Sequence, residues 1–483
     1  MARVLLVNPR MSQRASHLPL SLLPLAGSLL AGGHEVRLLD LQVEESSDVD
    51  PRSYDLVGIT SYTGSQIEGG LSFARLVRKR SPETPVVWGG VHPTLTDAQT
   101  ATHPLVDIVV RGEGDATLPA LIGALDHAGP LEDVEGLTFE VDGRIHRTPD
   151  AAFVDMEQVP LSPYHLLKPD RYTYVVSEGL VFIESSRGCP HNCGFCYGNT
   201  MHRRRWRAKS PERVVEEMQH AIDSLGARII CFADDNFCVS ETRVEGIARR
   251  ILDLGVQTDW RITSRFDYVS SCDPGLLVLL KSAGCNEIWC AGEFGSQKML
   301  DLIDKKITPE QIRTGLRKLT DAGIPCPVGF MAGYPTETMD DSMATLDLVD
   351  EILRLFPDNR VQLSIYTPYP GTPLFPMAVS YGFKQRRSLE EWGRYKFGLV
   401  ENLPWLSHPH ARMLRVAGLL VRSTFLSPEY ARHALVRRNP FLRAADRILY
   451  ESARFRFKRR LFKWAPEWRL LDLFLKLTNS WER

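Results

Sequence analysis

The sequence has few cysteines, no bias toward one sign of charge and no long hydrophobic run, and these shortages exclude several kinds of protein. Nine cysteines in 483 residues do not make the disulfide framework of a small secreted domain. The most apolar early segment, residues 18–33, carries no charge, but proline and glycine interrupt it and it is too short to span a membrane. The formal net charge of −1 identifies no partner by itself, because it conceals a basic segment near the C-terminus.

The N-terminal residues MARVLLVNPR lead directly into a strand-like run, so we expect no secretory signal. We therefore expect a cytoplasmic protein, and in a reducing compartment free thiols favour metal binding or redox chemistry over disulfides. The composition, 43% hydrophobic and 24% charged, is typical of a soluble globular protein, and the length allows two or three domains.

Short β-branched runs alternate with amphipathic segments through the first 125 residues. The predicted strands are VLLVN, HEVRLLDL, DLVGITS, TPVVWGG and VDIVVRGEG. This alternation predicts an α/β domain with a doubly wound, Rossmann-like parallel sheet, whose ligand site lies at the carboxyl ends of the strands. Small or polar residues stand at several of those ends, where they either admit a ligand or simply make tight turns.

A second strand–helix series begins near Tyr174, after a hairpin with an Asp142-Gly143 turn and a proline-rich linker. Six strand–helix units predict a partial (βα)6 barrel, with its chemistry on the loops that follow the strands. Beyond Gly382 the pattern becomes helical. We expect four regions: residues 1–135, a Rossmann-like domain; residues 136–175, hairpin and linker; residues 176–385, the barrel; and residues 386–483, a helical, basic and aromatic region.

The basic segment lies in this last region, where residues 431–469 contain twelve Lys or Arg against three acidic residues, interleaved with aromatic side chains. Three interpretations stay open: a solvated helix packed on the barrel, an interfacial helix that contacts anionic lipid, and a nucleic-acid surface. We expect no nucleic-acid partner, because no dedicated RNA-binding module is visible. Peripheral association with a membrane remains possible on this pattern.

Three cysteines stand within the segment RGCPHNCGFCY, at residues 187–197, with the spacing C-x3-C-x2-C. A structural zinc site needs four protein ligands, and no Cys or His pair follows at zinc-finger spacing. His191 could be proposed as a fourth ligand, but it would have to fold back from its position beside Cys189. Three thiolates on one loop suit an iron–sulfur cluster of four irons better, because one iron is then left open for a small molecule.

This segment resembles the cluster loop of the radical S-adenosylmethionine (SAM) superfamily. The resemblance implies a 4Fe-4S cluster held by Cys189, Cys193 and Cys196, with SAM bound at the open iron and cleaved to a 5′-deoxyadenosyl radical. Further matches follow in the family's order: FADDNF, WRITSRFD, AGEFGSQ, GFMAGYPTET and YTPYPGTPLF. By this resemblance the residues that bind SAM are Phe195, at the adenine, together with Asp234, Arg265, Glu293 and Gly333.

One departure from the family pattern concerns the segment AGEFGSQ, which is similar to a G-x-E-S-G-S motif. Ala291 replaces the first glycine and Phe294 replaces the serine. Any role that the family gives to that serine is therefore in doubt in this chain.

The N-terminal half is similar to a subgroup of these enzymes that binds cobalamin. The similarity follows the order of the strand-end loops, through NPR, GITSYTGSQ, VVWGGVHPTL and VVRGEGDATLPAL. It implies a cobalamin site formed by Asn8, Ser61, Tyr62, Gly89, Gly90, Gly112 and Glu113. No D-x-H-x-x-G motif occurs, so cobalt would face a group other than histidine, for which Tyr62 is a candidate, while His92 and His103 are expected to be ordinary polar residues.

The resemblance implies C-methylation of an unactivated carbon in a small-molecule or lipophilic substrate. One SAM would supply the radical that abstracts a hydrogen atom, a second would methylate cobalt, and an external donor such as flavodoxin or ferredoxin would supply electrons. Hydrogen abstraction needs no acid–base pair, which agrees with the lack of an obvious His/Asp constellation. Two alternatives stay open: a cyclase or rearranging enzyme with the same cofactors, and a corrinoid or iron–sulfur sensor or binding protein.

Overall fold

The computed structural model describes residues 1–11, 17–356 and 359–425, together with residues 448, 451–452, 455–456 and 459–461. Most of the basic and aromatic segment, residues 431–469, lies outside the described residues. The three interpretations of that segment therefore stay predictions.

The first domain is a seven-stranded sheet in the order β2-β1-β3-β4-β5-β6-β7. Its first five strands are parallel and its last two form an antiparallel hairpin. The strands are β1 (Arg3–Asn8), β2 (Glu35–Asp40), β3 (Leu56–Thr60), β4 (Val86–Gly89), β5 (Ile108–Val110), β6 (Leu137–Val141) and β7 (Arg144–Arg147). The helices of this domain are α1 (Leu23–Ala31), α2 (Ser65–Arg80), α3 (Val91–Leu95), α4 (Asp97–Ala101) and α5 (Gly114–Asp126).

Strand β3, LVGIT, lies between two other strands of this sheet, and all five of its residues are buried. A continuous apolar strand of this kind is stable only where helices cover both faces of the sheet. The hairpin β6–β7 extends the same sheet, whereas the sequence groups it with the linker. The antiparallel pairing of β6 with β5 makes the hairpin part of the first domain.

The second domain is a six-stranded parallel sheet in the order β8-β11-β12-β13-β14-β15, beside a small antiparallel pair of β9 and β10. The strands are β8 (Leu180–Ile183), β9 (Ser186–Arg187), β10 (Arg207–Ala208), β11 (Ile229–Phe232), β12 (Asp259–Ser264), β13 (Cys285–Glu293), β14 (Val328–Ala332) and β15 (Val361–Ile365). The helices from here to residue 425 are α6 (Thr173–Glu178), α7 (Gly198–His202), α8 (Pro211–Leu225), α9 (Glu241–Leu254), α10 (Phe266–Ser271), α11 (Pro274–Ser282), α12 (Gln297–Leu302), α13 (Pro309–Asp321), α14 (Met339–Leu355), α15 (Phe375–Ser380), α16 (Leu389–Gly393) and α17 (His408–Phe425).

Local chemistry fixes the ends of the barrel helices. Before α8, the Ser210 hydroxyl accepts a hydrogen bond from the Arg213 amide at 3.2 Å, and Pro211 occupies the first helical position. Gly226 ends this helix with a left-handed φ of +63°, a conformation that glycine adopts without steric cost. The predicted fold class is confirmed: a Rossmann-like domain, a partial (βα)6 barrel and helices beyond it. Within the described ranges, no helix has both the length and the apolar character to cross a bilayer.

Helix α16 joins the C-terminal region to the first domain. Trp392 is 1% exposed, and its indole N–H donates to Gln99 Oε1 at 3.0 Å. Beside it His103 Nε2 lies 3.0 Å from Glu390 Oε1. His103 thus pairs with a surface carboxylate, as expected for an ordinary polar residue.

We expect Trp392→Ala to lower the free energy of unfolding by about 3–5 kcal/mol, because a large buried side chain leaves a cavity. Val278→Ala is the matched control, since Val278 is 58% exposed and its change should stay within about 0.5 kcal/mol. Urea denaturation followed by circular dichroism measures both. Equal effects of the two substitutions would contradict the assignment of Trp392 to the core.

Candidate active site at the facing strand ends

The cysteine loop begins where β9 ends, and its first residue must be glycine. Gly188 has a φ of +82°, and a Cβ there would lie 2.1 Å from the Arg205 carbonyl oxygen. Its amide donates to Asp235 Oδ2 at 3.0 Å. The close backbone approach and the positive φ both exclude a larger residue.

Backbone hydrogen bonds from distant segments hold the loop. The Gly194 amide donates to the Ile303 carbonyl at 2.9 Å, and the Leu374 amide donates to the Gly194 carbonyl at 2.8 Å. The Asn199 side chain donates to the Cys193 carbonyl at 2.7 Å. The loop is therefore shaped by the barrel before any metal binds, which reduces the conformational cost of binding.

The environment of the three thiols fits an iron–sulfur cluster. Burial raises the pKa of Cys196 to about 12 and also raises that of Cys189, so both are protonated at neutral pH until a metal takes the proton's place. Arg265 Nη1 lies 3.4 Å from Cys193 Sγ, and Asn236 Nδ2 lies 3.9 Å from Cys189 Sγ. These donors are suited to stabilise negative charge on metal-bound sulfur.

A mononuclear ion fits less well. Among the described residues, no three His, Cys, Asp or Glu side chains converge on one ion. Cysteines that each bind a different iron of a cubane need not converge in this way. His191 does not fold back toward the thiols but has its Nε2 3.1 Å from the Tyr268 hydroxyl.

Two of the residues predicted to bind SAM are engaged within the protein. Asp234 accepts hydrogen bonds from the Ser185 amide and hydroxyl, at 2.8 and 2.6 Å, and from the Ser186 hydroxyl at 2.5 Å. Arg265 pairs with Asp267 at 3.0 Å in addition to its contact with Cys193. Asp234 thus braces the end of β8 and Arg265 faces the cysteine loop, and a direct contact of either with SAM stays a prediction.

Glu293 is held in an unusual conformation at the end of β13. Its φ is +61°, and its carboxylate accepts from Lys305 Nζ at 2.9 Å, with 7% and 5% of the two side chains exposed. A non-glycine residue in this region carries backbone strain, and such strain concentrates at functional sites. The ion pair lies beside the loop, since Lys305 also contributes its carbonyl to Arg265.

Aromatic rings cover the barrel side of the loop. The ring of Phe195 lies 6.5 Å from that of Tyr334, which stacks on Tyr366 at 4.0 Å. Phe294, the departure from the family pattern, is fully buried with its ring 5.3 Å from Tyr334. Phe294 therefore completes this hydrophobic group and supplies no hydroxyl. The placement of Phe195 leaves its role at the adenine a prediction.

Gly333 lies in a turn that a buried carboxylate organises. Glu337 Oε2 accepts from the amides of Gly333 and Tyr334, at 2.5 and 2.9 Å. The Ser342 hydroxyl bonds both Glu337 and, at 2.8 Å, His410 Nε2. Burial raises the pKa of Glu337 to about 7. This network connects the predicted SAM-binding turn with α17.

Polar side chains at the strand ends of the first domain form the other half of the site. Asn8 donates to Asp40 Oδ1 at 2.9 Å and accepts from Gln66 Nε2 at 2.8 Å. The hydroxyl of Ser61 is buried and has no hydrogen-bond partner among the residues that the structure describes, as expected where a ligand supplies one. Tyr62 is 43% exposed and stands in the loop that follows β3.

The glycines leave room at the same edge. A Cβ on Gly112, which has a φ of +69°, would meet no atom within 4 Å. At Gly89 the nearest atom would be 3.6 Å away, whereas at Gly90 it would lie 2.7 Å from Thr60 Oγ1. Gly112 thus leaves space for a ligand, Gly89 packs in ordinary contact with Val110, and Gly90 is required by the close approach of β3. These observations fit a corrinoid, although the contacts themselves stay predictions.

The carboxylate of Glu113 is engaged in ion pairs. Its Oε1 lies 2.6 Å from Arg207 Nη2 and 3.4 Å from His202 Nδ1. Burial alone would raise the pKa of Glu113, but these partners and Arg187 outweigh burial and hold the pKa below its usual range. His92, expected to be an ordinary polar residue, is fully buried, bonds Thr63 Oγ1 at 2.9 Å and has its pKa lowered to about 3 by burial, so it is a core residue.

The two halves of the site face each other. The ring of Tyr62 lies edge-on to that of Tyr197, 6.5 Å away, and Tyr197 directly follows Cys196. The loops that follow β3 and β8 thus come into contact here, and we call the region between these strand ends the gap. One face of this gap carries the predicted corrinoid positions and the other carries the three thiols.

Comparison with known proteins agrees with this geometry. Residues 183–349 match the Radical SAM superfamily and residues 13–122 match the B12 binding domain. An uncharacterised methyltransferase of Pyrococcus horikoshii is 31% identical over 375 residues, which cover 75% of this chain and 78% of that protein. This chain belongs to the cobalamin-binding radical SAM enzymes. The hopanoid C-3 methylase of Methylococcus capsulatus is 27% identical, over 73% of this chain and 67% of its own.

Solved structures confirm the fold of this radical SAM enzyme. The cobalamin-dependent radical SAM enzyme OxsB, with aqua-cobalamin and SAM bound, superposes with a TM-score of 0.78 at 18% identity, over 99% of this chain and 75% of its own. The methyltransferase TsrM of Kitasatospora setae gives 0.68 at 21% identity, over 79% and 76%. The predicted cofactors of this family, a 4Fe-4S cluster, SAM and cobalamin, are confirmed, and the chain is an enzyme rather than a sensor.

Several residues of the site are missing from the sequence-based prediction. They are Arg187, Lys305 and Asn236, which contact or adjoin the loop, and Asp235 and His202, which lie between the domains. Asp235 and Asn236 directly follow Asp234 in FADDNF, and Arg187 begins the cysteine motif. These three of the five residues lie within or beside a recognised motif, so their positions in the sequence could have indicated a role in the site.

We expect Cys189→Ala to abolish stable binding of the 4Fe-4S cluster, because two thiolates cannot replace three on this loop. Iron and sulfide content after anaerobic reconstitution measures the loss. Cys272→Ser is the matched control, since Cys272 lies outside the loop and bonds the Val269 carbonyl at 3.2 Å. Equal iron content in both variants would contradict the assignment of the ligands.

The raised pKa of Glu337 predicts a pH dependence of stability. A carboxyl that binds its proton more tightly in the folded state stabilises below its unfolded pKa and loses that contribution as pH rises through about 7. Relative to Glu337→Gln, we expect the wild-type free energy of unfolding to fall by about 3 kcal/mol as the pH rises through this window. Parallel pH profiles would contradict this. Burial lowers the pKa of His410, so the contribution of His410 to stability changes with pH in the opposite direction. His410 is present in both the wild type and Glu337→Gln.

Proposed function

We propose that this enzyme C-methylates an unactivated carbon of a small-molecule or lipophilic substrate. The observation that carries the proposal is the single gap onto which the cysteine loop and the strand ends of the first domain both open, with Tyr62 6.5 Å from Tyr197. A hydrogen abstraction and a methyl transfer can then act on the same carbon. The similarity to proteins named as methylases supports the same reaction.

The residues of this chain bind and orient rather than transfer protons. When bound, the cluster and the corrinoid supply the electron that cleaves SAM and the carrier for its methyl group. Cys189, Cys193 and Cys196 would hold three irons, and the rings of Phe195 and Tyr334 would offer a surface to the adenine.

One face of the barrel sheet carries an exposed aromatic ring among polar side chains such as Thr263 on β12. On β13 the buried Ile288 and Cys290 belong to the hydrophobic core, whereas Trp289 between them is 37% exposed. The indole N–H of Trp289 would lie 3.6 Å from a Cβ on Gly329, so the ring covers a position of β14 that has no side chain. A flat apolar surface of this kind suits a lipophilic molecule.

The reaction also requires an electron donor. We propose an external protein of the flavodoxin or ferredoxin type, because reductive cleavage of SAM consumes electrons that this chain does not generate. Peripheral contact with a membrane through residues 431–469 is part of the same proposal, since their charge and aromatic content suit an anionic lipid surface.

A second candidate function is cyclisation without methyl transfer. The anaerobic magnesium-protoporphyrin IX monomethyl ester cyclase of Synechocystis is 27% identical, over 78% of this chain and 77% of its own. Both reactions would start from the same radical. They differ in whether the methyl group of SAM enters the product.

We expect reduced holoenzyme, given SAM with a deuterated methyl group and a lipid extract, to place the label on carbon in a product. Each labelled product should be accompanied by one 5′-deoxyadenosine and one S-adenosylhomocysteine. Mass spectrometry measures all three, and Cys193→Ala is the negative control. Substrate turnover that forms 5′-deoxyadenosine without label in the product would instead support the cyclase.

A further inference from the structure

A compact group of charged side chains joins the two domains beside the gap. Glu113 and Asp115, at the start of α5, come from the first domain, and Arg187 and Arg207 come from β9 and β10 of the barrel. Asp115 Oδ2 lies 2.9 Å and Oδ1 lies 3.2 Å from the Arg187 guanidinium. Glu113 accepts from both terminal nitrogens of Arg207, at 2.6 and 2.9 Å. With His202, we call these residues the interdomain ion cluster.

Burial and geometry make this ion cluster stiff. The side chains of Glu113, Asp115 and Arg187 are 7–8% exposed, and that of Arg207 is 18% exposed. Each arginine meets a carboxylate through two nitrogens, a paired contact that fixes orientation as well as distance. Removing one partner would leave an unpaired buried charge, which is strongly unfavourable.

The ion cluster reaches the cofactor positions on both sides. On the first domain, Glu113 directly follows Gly112, whose open surroundings fit a corrinoid. On the barrel, Arg187 is two residues before Cys189. His202 lies 3.4 Å from Glu113 and 3.5 Å from Asp235, and Asp235 accepts the Gly188 amide. A continuous series of polar contacts thus runs from one predicted cofactor site to the other.

A second contact between the domains lies elsewhere. There Trp392 and Glu390 of α16 meet Gln99 and His103 of the first domain. These contacts belong to a wider interface, to which helices α3 and α7 and the Tyr62–Tyr197 pair also contribute. The ion cluster adjoins both predicted cofactor positions, so within this interface it helps to set the width of the gap.

We propose that Glu113 and Arg207 are positioning residues that fix the distance between the corrinoid and the iron–sulfur cluster, and that Glu113 does not contact the corrinoid. The proposal rests on both cofactors sharing the gap and is independent of whether the product is methylated or cyclised. It replaces the expectation that Glu113 binds cobalamin. The carboxylate is already saturated by Arg207, His202 and the Val154 amide.

The test compares Glu113→Gln with Glu217→Gln. Glu217 is the control, because it also forms a buried ion pair, with Lys209 at 2.8 Å, but lies within the barrel. Holoenzyme is reduced so that the cluster and cob(II)alamin are both paramagnetic, and pulsed electron paramagnetic resonance gives the distribution of distances between the two spins. Absorbance titration of cluster-free protein with hydroxocobalamin gives the corrinoid dissociation constant.

We expect a broader distance distribution in Glu113→Gln than in wild type or in Glu217→Gln. We also expect a corrinoid dissociation constant within about twofold of wild type, since no corrinoid contact is lost. Should Glu113→Gln fail to fold, Arg207→Lys carries the same test, because lysine keeps the charge and loses the paired contact.

Two outcomes would overturn the proposal. Corrinoid binding weakened by about tenfold or more would show that Glu113 touches the corrinoid. A distance distribution that stays as narrow as wild type in Glu113→Gln, and in Asp115→Asn, would show that the ion cluster does not position the cofactors. If the wild-type holoenzyme shows a narrow distribution of distances between the two spins but no methyl transfer, that result would count against the proposed function and not against this proposal.

Discussion

The carboxyl ends of two parallel sheets meet around one buried guanidinium, that of Arg187. It bonds Asp115 from the first domain and Glu184 from its own, and Glu113 lies 3.6 Å away. Arginine suits this place because its planar group remains charged when buried and meets several carboxylates at once. Since Arg187 also begins the cysteine motif, the charge that joins the domains and the thiols predicted to bind iron belong to one short segment.

Positive charge also reaches the thiols from barrel residues outside this segment. Arg265 lies against Cys193, and its guanidinium is anchored by Asp267 and by the carbonyl of Lys305. Lys305 in turn is neutralised by Glu293, whose positive φ turns its side chain toward it. The strained glutamate thereby allows two buried cations to stand beside one loop. This arrangement offsets the repulsion that three thiolates would otherwise exert on one another.

The sequence predicted what depends on local pattern. Alternation of apolar runs gave both sheets, and the cysteine spacing together with the family resemblance gave Cys189, Cys193 and Cys196 as the predicted cluster ligands. Local sequence pattern could not predict the ion pairs that join the domains. Asp115 and Arg187 are 72 residues apart, and Glu113 and Arg207 are 94 apart, so their meeting depends on how two sheets pack. The resemblance placed Glu113 among the predicted corrinoid positions, whereas the ion pairs on its carboxylate are visible only in the fold.

The C-terminal region also contacts the turn that is predicted to bind SAM. Gly333 has a φ of +92°, and a Cβ there would lie 2.7 Å from Leu403 Cδ1. The indole N–H of Trp405 donates to the Gly333 carbonyl at 2.9 Å. The positive φ favours glycine at this position, and Leu403 and Trp405, which follow the barrel, pack against it. A resemblance that stops near residue 385 identifies this glycine without these contacts, because both residues lie beyond the recognised pattern.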